Sequence, residues 1–201
     1  MAAGALTPEG SIMQTPSHSA SLTLTALGVF AALSLGTAHA DEHVCRGALG
    51  PVAVDNLRVP DGSRCTLDGT RIEGNLKVEE GATLMARSIR VAGNIQAEGA
   101  RQVSVSGRST VGGNVQIKQG GGASIRRADV GGDIQLDDNA RALDVLDNRV
   151  GGNIQVFQNR GAAEIAGNGV GGNLQCKENR PAPRGGGNRV DGNREDQCRR
   201  L

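Results

Sequence analysis

Apolar and polar residues alternate along this chain in a phrase that returns at almost constant distance. VGGNIQV at 150–156 reappears as VGGNLQC at 170–176, and earlier as VGGDIQL (130–136), VGGNVQI (111–117), VAGNIQA (91–97) and IEGNLKV (72–78). A weaker copy, VDGNRED, starts at Val190. The copies therefore begin at 72, 91, 111, 130, 150, 170 and 190, steps of 19 or 20 residues. A fixed step of that size marks a solenoid, in which each repeat buries its apolar face only against its neighbours.

Within the phrase the period is two. Val150, Gly152, Ile154 and Val156 fall on one side, and Asn153 and Gln155 on the other, which argues for a β-strand. The β-branched residues agree. The segments between phrases are polar and glycine-rich with one apolar residue near the middle, such as Ile125, Val145 or Ile165, and fit a second short strand between turns. No ten-residue helical pattern occurs after Ala40, so helical or leucine-rich arrays do not fit. The pattern predicts an all-β fold, a single-stack parallel β-helix of about seven coils spaced about 4.8 Å apart and capped at both ends. Ile95, Val115, Ile134, Ile154 and Leu174 are expected to form one buried column. Gly occupies the third position of all seven copies, at 74, 93, 113, 132, 152, 172 and 192. Either a side chain there meets the neighbouring coil, or the backbone turns with positive φ.

The ends of the chain differ from its middle. Residues 1–40 read as a secretory signal peptide: an apolar run from Leu22 to Gly36 precedes an Ala38-His39-Ala40 cleavage site, with Met13 an alternative start. No Lys or Arg precedes the apolar run. Residues 41–71 carry the period only in outline, with Pro51 and Pro60 limiting strand regularity, and are read as an N-terminal cap; 72–180 hold the repeats. Residues 181–201 are read as the C-terminal cap, because Arg194 falls where other copies place Ile, Leu or Val. The expected location is secreted or periplasmic, with no membrane insertion after cleavage.

Composition narrows the function classes. Without residues 1–40 the chain carries 22 basic and 20 acidic residues, a net charge of +2, too small for a nucleic-acid footprint. Phe157 is then the only aromatic residue, which removes stacking on bases as a binding mode. All four cysteines lie beyond residue 40, and an even count in an exported chain favours disulfides. Cys45 and Cys65 are 20 residues apart, one coil; Cys176 and Cys198 are 22 apart, one coil with a small insertion. Neighbouring coils lie within disulfide reach, whereas Cys65 and Cys176 are more than five coils apart, on the order of 25 Å. The expected pairs are Cys45–Cys65 and Cys176–Cys198. Zinc-ligand spacing is missing, and no metal or cofactor is predicted. A nucleophilic triad does not fit, since the one histidine after residue 40, His43, lies in a terminal segment far in sequence from most of the serines.

Two polar columns stand out once the coils are stacked: Asn94, Asn114, Asp133, Asn153 and Asn173, and Gln96, Gln116, Gln135, Gln155 and Gln175. Amides one coil apart can bond up and down a column, as in cross-β stacks. Such a stripe either holds the stack together or presents a regular face to an extended partner such as a glycan or a second solenoid. The coil around 129–147 supplies Asp129, Asp133, Asp137, Asp138, Asp144 and Asp147, candidates for a carbohydrate-active enzyme or a Ca²⁺-dependent glycan-binding site. GGDIQLDDN misses the calcium nonapeptide pattern, because Ile134 stands where that pattern has Gly.

The V-x-G-[ND]-[IVL]-Q phrase over 72–176 resembles the repeats of bactofilins, polymer-forming bacterial β-helix proteins. The resemblance implies a bacterial-type solenoid and self-association. The chain departs from that family in its signal-like leader and its four cysteines, and no functional residue carries over. The function read from the sequence is a structural or binding role without catalysis.

Overall fold

The computed structural model describes residues 41–201, so the signal-peptide reading of 1–40 lies outside the described residues. The described residues form a right-through stack of parallel strands with about eight turns and no helix. Each turn has three short strands, and equivalent strands of successive turns line up as three sheets. The first face has nine strands, from Glu42–Val44 to Arg194–Asp196; the second has eight, from Gly47–Leu49 to Arg184–Gly186; the third has eight, from Ala53–Val54 to Arg189–Val190. All pairings are parallel. Segments 42–59 already contribute strands to all three faces, so the stack holds a turn more than the clear sequence copies suggest.

Register follows the repeat. Leu57, Leu76, Ile95, Val115, Ile134, Ile154 and Leu174 pair in sequence along the first face, and all are buried. A second inward column runs from Val59 through Val78, Ala97, Ile117, Leu136 and Val156 to Cys176. Ile125, Val145 and Ile165 form the matching column of the second face, where a second short strand was predicted. Arg194, in register with Leu174, stays exposed at the last turn and donates from Nη2 to the carbonyl of Asn188 at 2.6 Å.

One sequence expectation is corrected. The repeated phrase is not one strand: Val150 ends the third-face strand, Ile154 begins the first-face strand, and residues 151–153 form the corner between them. The alternation survives because the corner spans an even number of steps, so both flanking aliphatics point inward. Gly152 and Asn153 are therefore corner residues, half-buried, rather than in–out members of a strand.

That corner explains the invariant glycine, and by crowding alone. A Cβ on Gly132 would overlap Asn114 Oδ1, and one on Gly152 would overlap Asp133 Oδ1; none of the seven has positive φ. The side-chain oxygen of the Asn or Asp in the preceding coil occupies the space a side chain would need. Gly132→Ala should therefore lose about 1–3 kcal/mol, the range for overpacking. Gly169→Ala, where a Cβ meets nothing within 4 Å, should be neutral or slightly stabilising. Equal denaturant midpoints for the two variants would contradict this account.

The two disulfides are Cys45–Cys65, Cα–Cα 5.7 Å, and Cys176–Cys198, Cα–Cα 5.1 Å, as the coil spacing required. Each ties an end coil to its neighbour. All four cysteines are buried, and Cys176 continues the inward column of Leu136 and Val156.

Candidate functional surface

The two polar columns singled out in the sequence end up with different work. Asn94, Asn114, Asp133, Asn153 and Asn173 stand at the third corner, where the third face meets the first. Asn75 Oδ1 accepts the backbone N–H of Asn94 at 2.9 Å, Asn94 Oδ1 that of Asn114 at 2.8 Å, and Asn114 Oδ1 that of Asp133 at 2.8 Å. Asp133 fits the column because it is needed as an acceptor, from the N–H and the Nδ2 of Asn153. Asn153 then accepts from Asn173 at 2.8 Å. These side chains close the corner and leave little for a partner.

Gln96, Gln116, Gln135, Gln155 and Gln175 stand instead on the outside of the first face, in register from turn to turn. Gln116 Nε2 donates to Gln135 Oε1 at 3.0 Å, Gln155 to Gln175 at 2.9 Å, and Gln175 to Glu195 at 2.8 Å. Beside them runs a second outward column, Glu98, Lys118, Asp137, Phe157 and Lys177. At the N-terminal half of this face lies a shallow depression of about 720 Å³, lined by Lys77, Gln96, Gln116, Glu80, Glu98 and Lys118 among others.

The acidic network at the foot of this face is partly ordered. Arg58 bonds Glu42 at 2.6 Å and Glu79 at 3.3 Å, and Lys77 reaches Glu79 at 3.3 Å. Partial burial pushes the Glu79 carboxyl up, but hydrogen bonds from Lys77 and Arg58 outweigh it and hold the group below its ordinary value. The stabilisation is thus complete above the ordinary glutamate pKa of 4.5 and is lost as pH falls through the lower folded value. Glu79→Gln should lower the neutral plateau of a stability–pH curve slightly and flatten its acid limb, the two curves converging at low pH where the parent carboxyl is protonated. An acid limb as steep as that of the parent would show that the network carries no linkage.

The acidic coil does not converge. Asp129 is on the third face, Asp133 at the third corner and Asp137 on the first face. Asp138 is held by Arg160 at 2.9 Å at the first corner, Asp144 by Arg126 at 2.9 Å on the second face, and Asp147 sits at the second corner. Among the described residues no group of three His, Cys, Asp or Glu side chains is placed to hold a metal ion. His43 is exposed on the first strand. Compared with known protein families, curated proteins and solved structures, the chain matches none. Its parallel β-solenoid architecture is what it shares with the bactofilin type.

The sequence reading missed two buried amide columns. At the first corner Asn139, Asn159 and Asn179 are buried, and Asn139 donates its N–H and Nδ2 to Asn159 Oδ1 at 2.8 and 3.0 Å. Asn159 does the same to Asn179 at 3.1 and 2.9 Å. At the second corner Asn148, Asn168 and Asn188 repeat the arrangement. A residue with positive φ precedes each, among them Asp138, Gln158, Glu178, Asp147 and Gly167, and turns the chain so that the next residue points inward. Every buried side-chain nitrogen or oxygen among the described residues has a partner. The signal was present in the sequence, as Asn at steps of 20 residues in two columns.

Proposed function

We propose that this protein is an extracytoplasmic, non-catalytic scaffold of bacterial type: a stiff rod whose first face meets an extended partner, a glycan chain, along its glutamine column. The observation that carries the reading is the column itself, five amide side chains repeating once per coil on a face that needs none of them for its core. A regular row of donors and acceptors suits a repetitive polymer better than a compact ligand. Disulfides at both ends support work outside the reducing cytoplasm, in the periplasm or the medium. The scattered aspartates favour this reading over the carbohydrate-active alternative, because acid–base hydrolysis of a glycoside needs two carboxyl groups facing one bond.

The test is a glycan-array screen of the purified protein, with product release measured on every hit. Binding without turnover, weakened by Gln135→Ala and Gln155→Ala together, is the expected result. Release of reducing ends from any bound glycan would replace the scaffold with an enzyme. Binding indifferent to the glutamines would move the contact off the first face.

A further inference from the structure

The second corner, where the second face turns into the third, breaks the repeat in one place. In the internal coils two residues join these strands: Asp68 to Arg71, Arg87 to Arg90, Arg126 to Asp129 and Leu146 to Arg149. Between Ser106 and Thr110 there are three, Gly107, Arg108 and Ser109. Gly107 and Arg108 both have positive φ, +73° and +61°. The added residue is locked in place. Ser88 Oγ donates to the Gly107 carbonyl at 2.9 Å, Ser109 Oγ donates to the Ser106 carbonyl at 2.6 Å, and the Ile89 N–H donates to Ser109 Oγ at 3.1 Å. A bulge held this firmly in an otherwise regular stack re-aims side chains.

The side chains it gathers are arginines. Arg87, Arg108 and Arg127, from three successive coils, line a depression of about 500 Å³ with Asp68, Ser88 and Gly107. All three are exposed, and none lies within 4.0 Å of a carboxylate oxygen in any ion pair of the described residues. Arg90, next along the third face, is also outside those pairs. Asp68 is the single acid in the lining, with Asp129 and Asp147 bordering the patch on the side of the later coils.

Local backbone demands do not call for arginine here. The first corner has the same positive-φ column, and fills it with Gln119, Asp138, Gln158 and Glu178. Like charges repeated one coil apart, about 4.8 Å, repel each other. A planar guanidinium gives paired, parallel N–H donors that match a carboxylate or sulfate. We infer that this arginine-lined depression binds the anionic groups of an acidic polysaccharide, one bearing carboxylate or sulfate. The corner offers no aromatic ring for base stacking, since Phe157 stands on the first face.

The inference concerns a different surface from the glutamine column and stands without it. Titration calorimetry of the purified protein with polygalacturonate and dextran sulfate tests it, with neutral dextran and oligo-dT as comparisons. Binding to the two acidic polysaccharides is expected, falling steeply with added salt, with none to neutral dextran. The triple variant Arg87→Gln, Arg108→Gly, Arg127→Gly should weaken it about tenfold or more, whereas Arg64→Gln on the second face should not. Glycine suits the positive φ at 108 and 127, so the variant keeps its fold, which an unchanged circular dichroism spectrum and melting point would verify. Equal loss in Arg64→Gln, or full affinity in the triple variant, overturns the site. Tighter binding to oligo-dT than to either polysaccharide assigns the patch to nucleic acid and overturns the ligand class. Gln135→Ala with Gln155→Ala should leave this binding intact, which separates its failure from that of the first-face reading.

Discussion

Asn159→Leu is expected to destabilise the protein by roughly 3–6 kcal/mol, although it replaces a polar residue in the interior with an apolar one of similar size. Asn159 receives two donors from Asn139 and gives its own Nδ2 hydrogens to the Leu136 carbonyl and to Asn179 Oδ1. Leucine would strand two donors of Asn139 and the acceptor of Leu136 in a region closed to water. Each orphaned buried group costs about 1–3 kcal/mol. The effect should also be directional. A solenoid is held by nearest-neighbour interfaces, so the stack should become most labile between the coils of Asn139 and Asn179. Urea midpoints together with hydrogen exchange at the neighbouring amides check both parts. A loss no larger than that of Gln155→Ala, on the outside of the first face, would mean that the buried column contributes nothing beyond ordinary surface bonding.

Removing a terminal clip should act differently. Cys45→Ser with Cys65→Ser deletes the closure of a loop of 20 residues, about 3 kcal/mol in the chain-entropy model. In a quasi-one-dimensional stack that loss belongs to the end coil. Amide protection should fall over 42–49 and stay near the parent level at Ile134 and Ile154. Uniform loss of protection along the whole rod would show that the stack unfolds as one unit and that the clip acts globally.

How much of this was legible beforehand depends on the kind of signal. The buried column from Ile95 to Leu174 could be read because aliphatic spacing at a constant step has few structural explanations. The disulfides could be read because coil spacing makes sequence separation equivalent to distance. The three-faced cross-section was hidden by parity: Val150 and Ile154 keep the in–out alternation across a corner, so one phrase looks like one strand. Asn139, Asn159 and Asn179 escaped notice because asparagine in a glycine-rich connection is expected in any turn, and nothing local distinguishes an exposed turn from a buried amide ladder. The arginine depression needed coordinates. Arg87, Arg108 and Arg127 are spaced 21 and 19 residues apart; Arg108 and Arg127 share the corner column while Arg87, in register with Ser106, stands one position before it, so the three meet only once the coils are stacked.

The second-corner amide ladder also bears on how the molecule ages chemically. Asn168 is followed by Gly169, the pairing in which an asparagine side chain is most readily lost to attack by the next backbone nitrogen. Here that nitrogen is engaged, donating to the Asn148 carbonyl at 2.8 Å. The Asn168 amide is itself held by the Val145 carbonyl and Asn188 Oδ1, at 2.8 and 2.9 Å. Ring closure to a succinimide needs both groups free, so deamidation at 168 has to wait for the coil to open. Isoaspartate accumulating there over storage would then act as a clock, recording the time this part of the rod has spent unfolded.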